Sequence, residues 1–95
     1  MPQFFVEAPE GIQPAAKQKM MRAITDAIEE AFPIPDVRVW LREYPQDNVS
    51  MDGRIGAEPV KPVCFLEAPE LTSIEAKSAM VTKILAAVDE AYRGL

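Results

Sequence analysis

The chain has 95 residues, a formal net charge of −5 and no histidine, which excludes histidine-based metal sites and catalytic triads. A chain of this length forms one domain that buries somewhat over about 60% of its unfolded surface, so association with further chains would add stability. The acidic balance argues against nucleic acid as a partner, and we expect a cytoplasmic protein because no stretch matches the ~18 apolar residues of a membrane span or a secretory signal.

The first predicted elements are a strand and a helix. Residues 2–8 are rich in Phe and Val and are followed by Pro9-Glu10-Gly11, which predicts a strand that ends at a turn. Pro14 suits the first turn of a helix. Apolar residues then recur at helical spacing and form one face, which consists of Ala16, Met20, Ile24, Ala27, Ile28 and Ala31.

A second strand is predicted over residues 37–43, after residues 33–36 (Pro-Ile-Pro-Asp) end the helix. Its side chains alternate, as in a half-buried strand. One face carries Val37, Val39 and Leu41, which we expect to lie against the helices. The other face carries Arg38, Trp40 and Arg42.

Residues 45–60 are rich in proline, glycine and polar side chains, and they predict a loop with a short hairpin around Asp52-Gly53. A third strand follows over residues 62–67, and residues 72–75 (Thr-Ser-Ile-Glu) predict the start of a second helix. The apolar face of that helix consists of Ala76, Met80, Ile84, Ala87, Val88, Ala91 and Tyr92. No strand is predicted after it.

An internal repeat relates the two halves at an offset of 60 residues. The clearest match places residues 5–10 (FVEAPE) over residues 65–70 (FLEAPE), and matches continue along both helices. We therefore predict a single domain over residues 1–95, with unit one at 2–44, a linker at 45–60 and unit two at 61–95. Two copies are too few for a solenoid and indicate a duplicated unit around a pseudo-twofold axis.

Pro2 is the first candidate site residue. Removal of Met1 would leave a secondary amine at the head of an apolar strand. An apolar pocket lowers the pKa of such an amine, because it disfavours the charged ammonium. The neutral amine can then act as a general base. The alternative is a strand-edge proline without chemistry. Its repeat counterpart Pro62 has its nitrogen in a peptide bond and cannot be a base.

Cys64 is the one cysteine of the chain, so no internal disulfide can form. It lies within an apolar run, and no histidine is present to activate it. We expect a buried, inert thiol. We expect neither a metal nor a cofactor.

Three features resemble the tautomerase superfamily: Met1-Pro2 at the head of an apolar strand, a helix that ends near Ile34-Pro35, and the strand 37–43 running into residues 44–48 (YPQDN). The duplication is similar to the macrophage migration inhibitory factor and malonate semialdehyde decarboxylase branches. The first unit is similar to 4-oxalocrotonate tautomerase. The resemblance implies an α+β fold in which two pseudo-symmetric βαβ-type units form one sheet with two helices on one face, here without the last strand. It also implies a homotrimer that uses the N-terminal proline on small enols, keto acids or unsaturated acids.

Arg38 matches the strand arginine that binds a substrate carboxylate or carbonyl in 4-oxalocrotonate tautomerase, a task that suits a planar guanidinium. Trp40 and Arg42 share its face and are candidates for lining the same pocket. Two alternatives stay open. Arg38 forms a salt bridge at a subunit interface, or this strand face packs inside a trimer without any ligand.

Several positions depart from the related proteins. Ile12 stands where 4-oxalocrotonate tautomerase has an arginine, and Val49 stands where it has a pocket phenylalanine. The decarboxylase and cis-dehalogenase branches have arginines after the third strand, whereas residues 67–71 here read Glu-Ala-Pro-Glu-Leu. We therefore do not expect those two activities.

The expected function is keto–enol tautomerisation of a small keto acid or unsaturated acid, with Pro2 as general base. One alternative is a non-catalytic oligomeric or small-ligand-binding protein with the same architecture. Another is an unrelated ferredoxin-like domain, because its βαββαβ order also fits these elements. A sheet edge left open by the missing strand predicts a homotrimer in which residues 45–60 contact a neighbour.

Overall fold

The computed structural model describes residues 2–70 and 73–93. The helices are α1 (Pro14–Ala31) and α2 (Ile74–Tyr92), and the strands are β1 (Gln3–Pro9), β2 (Arg38–Tyr44), β3 (Ser50–Met51), β4 (Arg54–Ile55) and β5 (Val63–Glu67). A single 3₁₀ turn covers Gln46–Asn48. The predicted order of elements is confirmed, and the first two main strands lie one residue further along the chain than predicted.

The main sheet has the strand order β2-β1-β5. β1 lies parallel to β2 and antiparallel to β5. In the antiparallel register Phe5 pairs with Phe65, its own counterpart in the sequence repeat. The pseudo-twofold axis therefore passes through this pair. The α+β class is confirmed.

The core lies between this sheet and both helices. Alternate residues of β1 are buried, namely Phe4, Val6 and Ala8, because successive strand side chains point to opposite faces. The predicted apolar faces of the helices cover them, with Met20, Ile24, Ala27 and Ile28 from α1 and Met80, Ile84, Val88 and Tyr92 from α2. Val37, Val39 and Leu41 pack against the same core, as predicted.

Local sequence explains where each helix starts. α1 begins at Pro14, whose fixed φ suits a first turn. α2 begins at Ile74, and the Ser73 side chain accepts a hydrogen bond of 3.1 Å from the backbone N–H of Ala76. Thr72, part of the predicted helix start, lies outside the described residues.

The hairpin expected in the loop is confirmed. β3 and β4 pair antiparallel around Asp52 and Gly53, whose φ angles are 51° and 78°. Positive φ at both central residues is typical of the tight turn that matches strand twist, and Asp-Gly adopts it readily.

The strand of the second unit is more exposed to solvent than the strand of the first unit. Val6 of β1 is 0% exposed, whereas its repeat counterpart Leu66 of β5 is 38% exposed. Within the described residues β5 pairs with β1 only, so its other edge has no paired strand. Neither helix has the length and apolar character needed to cross a bilayer.

Ile28→Ala tests the core. Ile28 is completely buried, so we expect a loss of about 2–5 kcal/mol in the free energy of unfolding from the removed side chain and the cavity left behind. Urea unfolding followed by circular dichroism measures it. The control is Leu85→Ala on α2, which removes a side chain that is 59% exposed and should change stability far less. Equal losses in both variants would contradict this core.

Candidate functional site

Pro2 lies at the head of β1 and is buried. The alternation of the strand places it on the helix-facing side with Phe4. Its carbonyl oxygen accepts a hydrogen bond of 3.1 Å from the backbone N–H of Arg38, which attaches this end of the chain to β2. Met1, on whose removal a basic Pro2 nitrogen depends, lies outside the described residues.

A cleft of about 330 Å³ opens at the same end of the molecule. Pro2 does not line it, but the β1–β5 register extended by one residue places Pro2 next to Ala68, which does. Its walls are mostly apolar, and Lys77 and Glu70 add one charge of each sign; the lining residues are Phe32, Leu66, Ala68, Pro69, Glu70, Lys77 and Met80. Lys77 is not recognisable as a site residue from the sequence, because only the packing of α2 against the end of β5 brings it here.

The sheet face turned away from the helices carries the other predicted site residues. Arg38, Trp40 and Arg42 alternate along β2 on this face and are all exposed. The two arginines are four positions apart along the strand, which corresponds to about 13 Å. Each of these three β2 residues pairs with a residue of β1, which in turn pairs with a residue of β5. The rows across the sheet are Arg38–Gln3–Glu67, Trp40–Phe5–Phe65 and Arg42–Glu7–Val63.

The middle row is aromatic. The rings of Phe5 and Trp40 stack with centroids 6.3 Å apart and planes at 11°, and Phe65 lies on the other side of Phe5. The Trp40 indole Nε1 donates to Gln3 Oε1 at 3.0 Å. Much of the row is exposed, since Phe65 has 55% of its surface accessible. The row is a flat apolar surface that can accept a planar ligand or another protein surface.

Arg42 has partners within the chain. Its Nη1 donates to Glu7 Oε1 at 2.7 Å, and its guanidinium carbon lies 5.1 Å from the centre of the Phe5 ring. An exposed ion pair of this kind contributes at most about 1 kcal/mol. A ligand carboxylate would have to compete with Glu7 for this guanidinium.

Arg38 has no ion pair with a described residue. Its guanidinium is therefore available to bind an anion. Its side chain lies on the outer face of the sheet, whereas Pro2 lies on the helix side, although the two backbones are hydrogen-bonded. A single chain thus groups Arg38, Trp40 and Arg42 on one face and does not place Pro2 on that face with them.

Sequence reasoning missed Gln3, Phe5, Glu7 and Phe65 as members of this face. The alternation of β1 already indicated that odd-numbered residues point away from the core. What the sequence did not contain was the register that sets Phe5 beside Trp40 and Glu7 beside Arg42.

Several solved structures share this architecture. A fused 4-OT described as a wild-type symmetric trimer superposes with a TM-score of 0.77 at 26% identity, covering 94% of this chain and 72% of that one. Pt0534 inactivated by 2-oxo-3-pentynoate gives a TM-score of 0.72 at 20% identity and 95% and 73% coverage. Malonate semialdehyde decarboxylase gives 0.62 at 17% identity and 94% and 72% coverage. The chain has the fold of the tautomerase superfamily. No family model and no curated protein matches the sequence.

Burial raises the pKa of the Cys64 thiol, which keeps it protonated and slow to react. Burial, and then the charge of Glu7, raise the pKa of Tyr44. Within the described residues there is no cluster of three or more histidine, cysteine, aspartate or glutamate side chains that could hold a metal ion.

Tyr92 has the largest shift. Burial first, and then the negative charges of Glu43, Cys64 and Tyr44, raise its pKa to about 12. Its hydroxyl oxygen is buried and has no hydrogen-bond partner among the described residues. Ionisation of this hydroxyl is therefore unfavourable in the folded protein.

The raised pKa of Tyr92 makes stability depend on pH in the alkaline range. Below about pH 10 the Tyr92 hydroxyl is neutral in both the folded and the unfolded chain. At higher pH it ionises first in the unfolded chain. The free energy of unfolding therefore falls as the pH rises from about 10 to about 12. We expect Tyr92→Phe to lose less stability than wild type over this interval. Urea unfolding at a series of pH values measures the difference, and absorbance at alkaline pH should assign the last tyrosine ionisation to Tyr92. Identical pH profiles for the two proteins would contradict the shift.

Proposed function

We propose that this protein is a keto–enol tautomerase that acts on a small keto acid or unsaturated acid, with the Pro2 nitrogen as general base after Met1 is removed. The observation that carries the proposal is the burial of Pro2 at the head of β1, beside a mostly apolar cleft, in a chain with the tautomerase-superfamily fold. An apolar setting disfavours the charged ammonium and so lowers the pKa of a secondary amine. The neutral nitrogen can then take a proton at neutral pH.

The chemistry needs two groups. The Pro2 nitrogen removes a proton from the carbon next to the carbonyl, or from the enol oxygen in the reverse direction, and the resulting ammonium returns the proton to the other atom. Negative charge develops on the carbonyl oxygen, where a guanidinium stabilises it. We assign this role to Arg38, with Trp40 and Arg42 lining the pocket, and no cofactor is required for these steps.

The placement of these groups supports self-assembly. Pro2 and Arg38 of one chain lie on different sides of the sheet, so the two groups meet at one substrate when they come from different copies. The exposed aromatic row of the outer sheet face gives such copies an apolar surface to share. The fused 4-OT described as a symmetric trimer supports three copies. We therefore propose a homotrimer.

The second candidate function is a non-catalytic oligomeric or small-ligand-binding protein. The contacts of the outer sheet face favour it, because Glu7 already binds Arg42 and Gln3 already binds Trp40. Two of the three proposed substrate-binding residues thus have structural partners. The labelling of Pro2 and the turnover of an enol separate the two functions.

Pro2 is tested by its chemistry. With Met1 removed, the protein should ketonise an enol such as that of phenylpyruvate, with a rate that rises through one ionisation well below that of an ordinary secondary amine. The compound 2-oxo-3-pentynoate, which inactivates Pt0534, should label Pro2 once per chain and abolish turnover. Intact mass and peptide mapping measure the label.

Two controls accompany this experiment. Pro2→Ala and a form that retains Met1 should both be inactive, because neither has a free secondary amine on the ring. Peptide mapping should find Cys64 unlabelled, since burial keeps its thiol protonated. If the processed protein has no tautomerase activity, or if the two controls match it in rate, proline-based catalysis is wrong and the binding function takes its place.

Arg38→Ala tests the anion-binding role. We expect the loss of about 2–4 kcal/mol of transition-state stabilisation for a charged keto acid, measured as kcat/KM, because one charge-stabilising donor is removed. Arg38 has no ion pair to a described residue, so the oligomeric mass should stay unchanged. Lys77→Ala is the matched comparison at the cleft beside Pro2. A larger loss in Lys77→Ala would move the anion-binding role to that lysine, and dissociation of Arg38→Ala would identify an interface salt bridge instead.

A further inference from the structure

The aromatic row of the outer sheet face lies between two arginines. Arg38 and Arg42 flank Trp40 along β2 and share its face. Each end of the row thus has one guanidinium, a group whose planar donors match a carboxylate. By spacing alone, this face would suit a small dicarboxylic keto acid, with one carboxylate at each arginine.

Glu7 changes one end of this arrangement. The β1–β2 register sets Glu7 beside Arg42, and Arg42 Nη1 donates to Glu7 Oε1 at 2.7 Å. The Glu7 side chain is 25% exposed, so most of it is covered by its neighbours. The Arg42 guanidinium also lies over the Phe5 ring, with 5.1 Å from its carbon to the ring centre. A ligand carboxylate at Arg42 would therefore lie close to the Glu7 carboxylate and would be repelled by it.

The other end of the row has no such carboxylate on β1. The residue beside Arg38 is Gln3, whose side chain is neutral, and its Oε1 accepts the hydrogen bond from Trp40 Nε1. Glu67 lies beyond Gln3 on β5 and forms no ion pair with Arg38 in the part of the chain that the structure describes. The two ends of the row are thus unequal. The Arg38 end is open to an anion, whereas the Arg42 end is already neutralised.

We propose that Glu7 determines substrate specificity by holding Arg42, so that the site takes keto acids with one carboxylate and disfavours those with two. Arg38 binds the keto acid end of the substrate, and the rest of the substrate lies along Trp40 toward Arg42. A neutral end is accommodated there, and a second carboxylate is not. Glu7 acts through Arg42 and is a positioning residue. The inference rests on the proposed function, because it assigns the substrate class of the same site.

A matched pair of acids tests this specificity. The acids 2-oxohexanoate and 2-oxoadipate have the same carbon chain and differ at the far end, which is a methyl group in the first and a carboxylate in the second. In heavy water, tautomerisation exchanges the protons on the carbon next to the carbonyl, because the base removes a proton and a deuteron from solvent takes its place. Proton NMR measures this exchange as kcat/KM for each acid. Calorimetry measures the binding of each acid independently of turnover.

Glu7→Gln removes the charge of Glu7 and keeps its shape, so Arg42 becomes available to a ligand. We expect wild type to prefer 2-oxohexanoate. In Glu7→Gln the ratio of kcat/KM for the two acids should shift toward 2-oxoadipate by about five- to tenfold. An exposed ion pair changes an equilibrium constant by at most about five-fold, and the removal of a like charge adds to this effect. The ratio of the two binding constants should shift in the same direction.

Two controls locate the effect. Glu67→Gln removes the same charge at the repeat counterpart of Glu7, on the same sheet face and without an ion partner among the described residues, so its ratio should equal that of wild type. The double variant Glu7→Gln with Arg42→Gln lacks the freed guanidinium and should lose the shift toward 2-oxoadipate. Circular dichroism checks that each variant is folded.

Several outcomes would overturn the inference. An unchanged ratio in Glu7→Gln rejects it, and an equal shift in Glu67→Gln rejects it by identifying a general effect of charge. A shift that persists in the double variant rejects the action through Arg42. If neither acid exchanges protons in wild type, the proposed tautomerase function fails, and the binding ratios then decide the role of Glu7 by themselves. Calorimetry that detects binding of neither acid rejects that role as well.

Discussion

The antiparallel pairing of β1 with β5 is the contact on which the rest of the structure depends. It sets Phe5 opposite Phe65 and so places the two copies of the repeat around one pseudo-twofold axis. Because side chains alternate along both strands, this one register decides which residues enter the core beneath two helices and which form the outer face. A slip of one residue would exchange the two faces of the strand.

The pseudo-symmetry is incomplete, and the incompleteness has physical consequences. The first half covers β1 with β2 and α1, so Val6 is removed from water. The second half leaves Leu66 and the flank of α2 partly uncovered, which costs hydrophobic stabilisation that a chain of this size can regain by association.

The outer face of the sheet carries charged side chains with and without an ion partner. Glu7 and Arg42 form an ion pair because the register sets them side by side, whereas Arg38 has no ion partner within the described residues. A guanidinium without an ion partner suits the carboxylate-binding role proposed for Arg38. Pro2, by contrast, lies on the helix side, where burial would favour the neutral form of the proposed amine.

The sequence by itself determined the elements, the repeat and the alternation of β2, because hydrophobic periodicity and turn residues are local signals. Together with the Met1-Pro2 start, those signals carried the resemblance to the superfamily whose fold the chain has. Only the tertiary structure decided that β1 is the central strand, that Glu7 holds Arg42, and that Lys77 joins the cleft beside Pro2. These contacts join residues far apart in the chain, and strand order and register depend on packing that a local pattern does not encode.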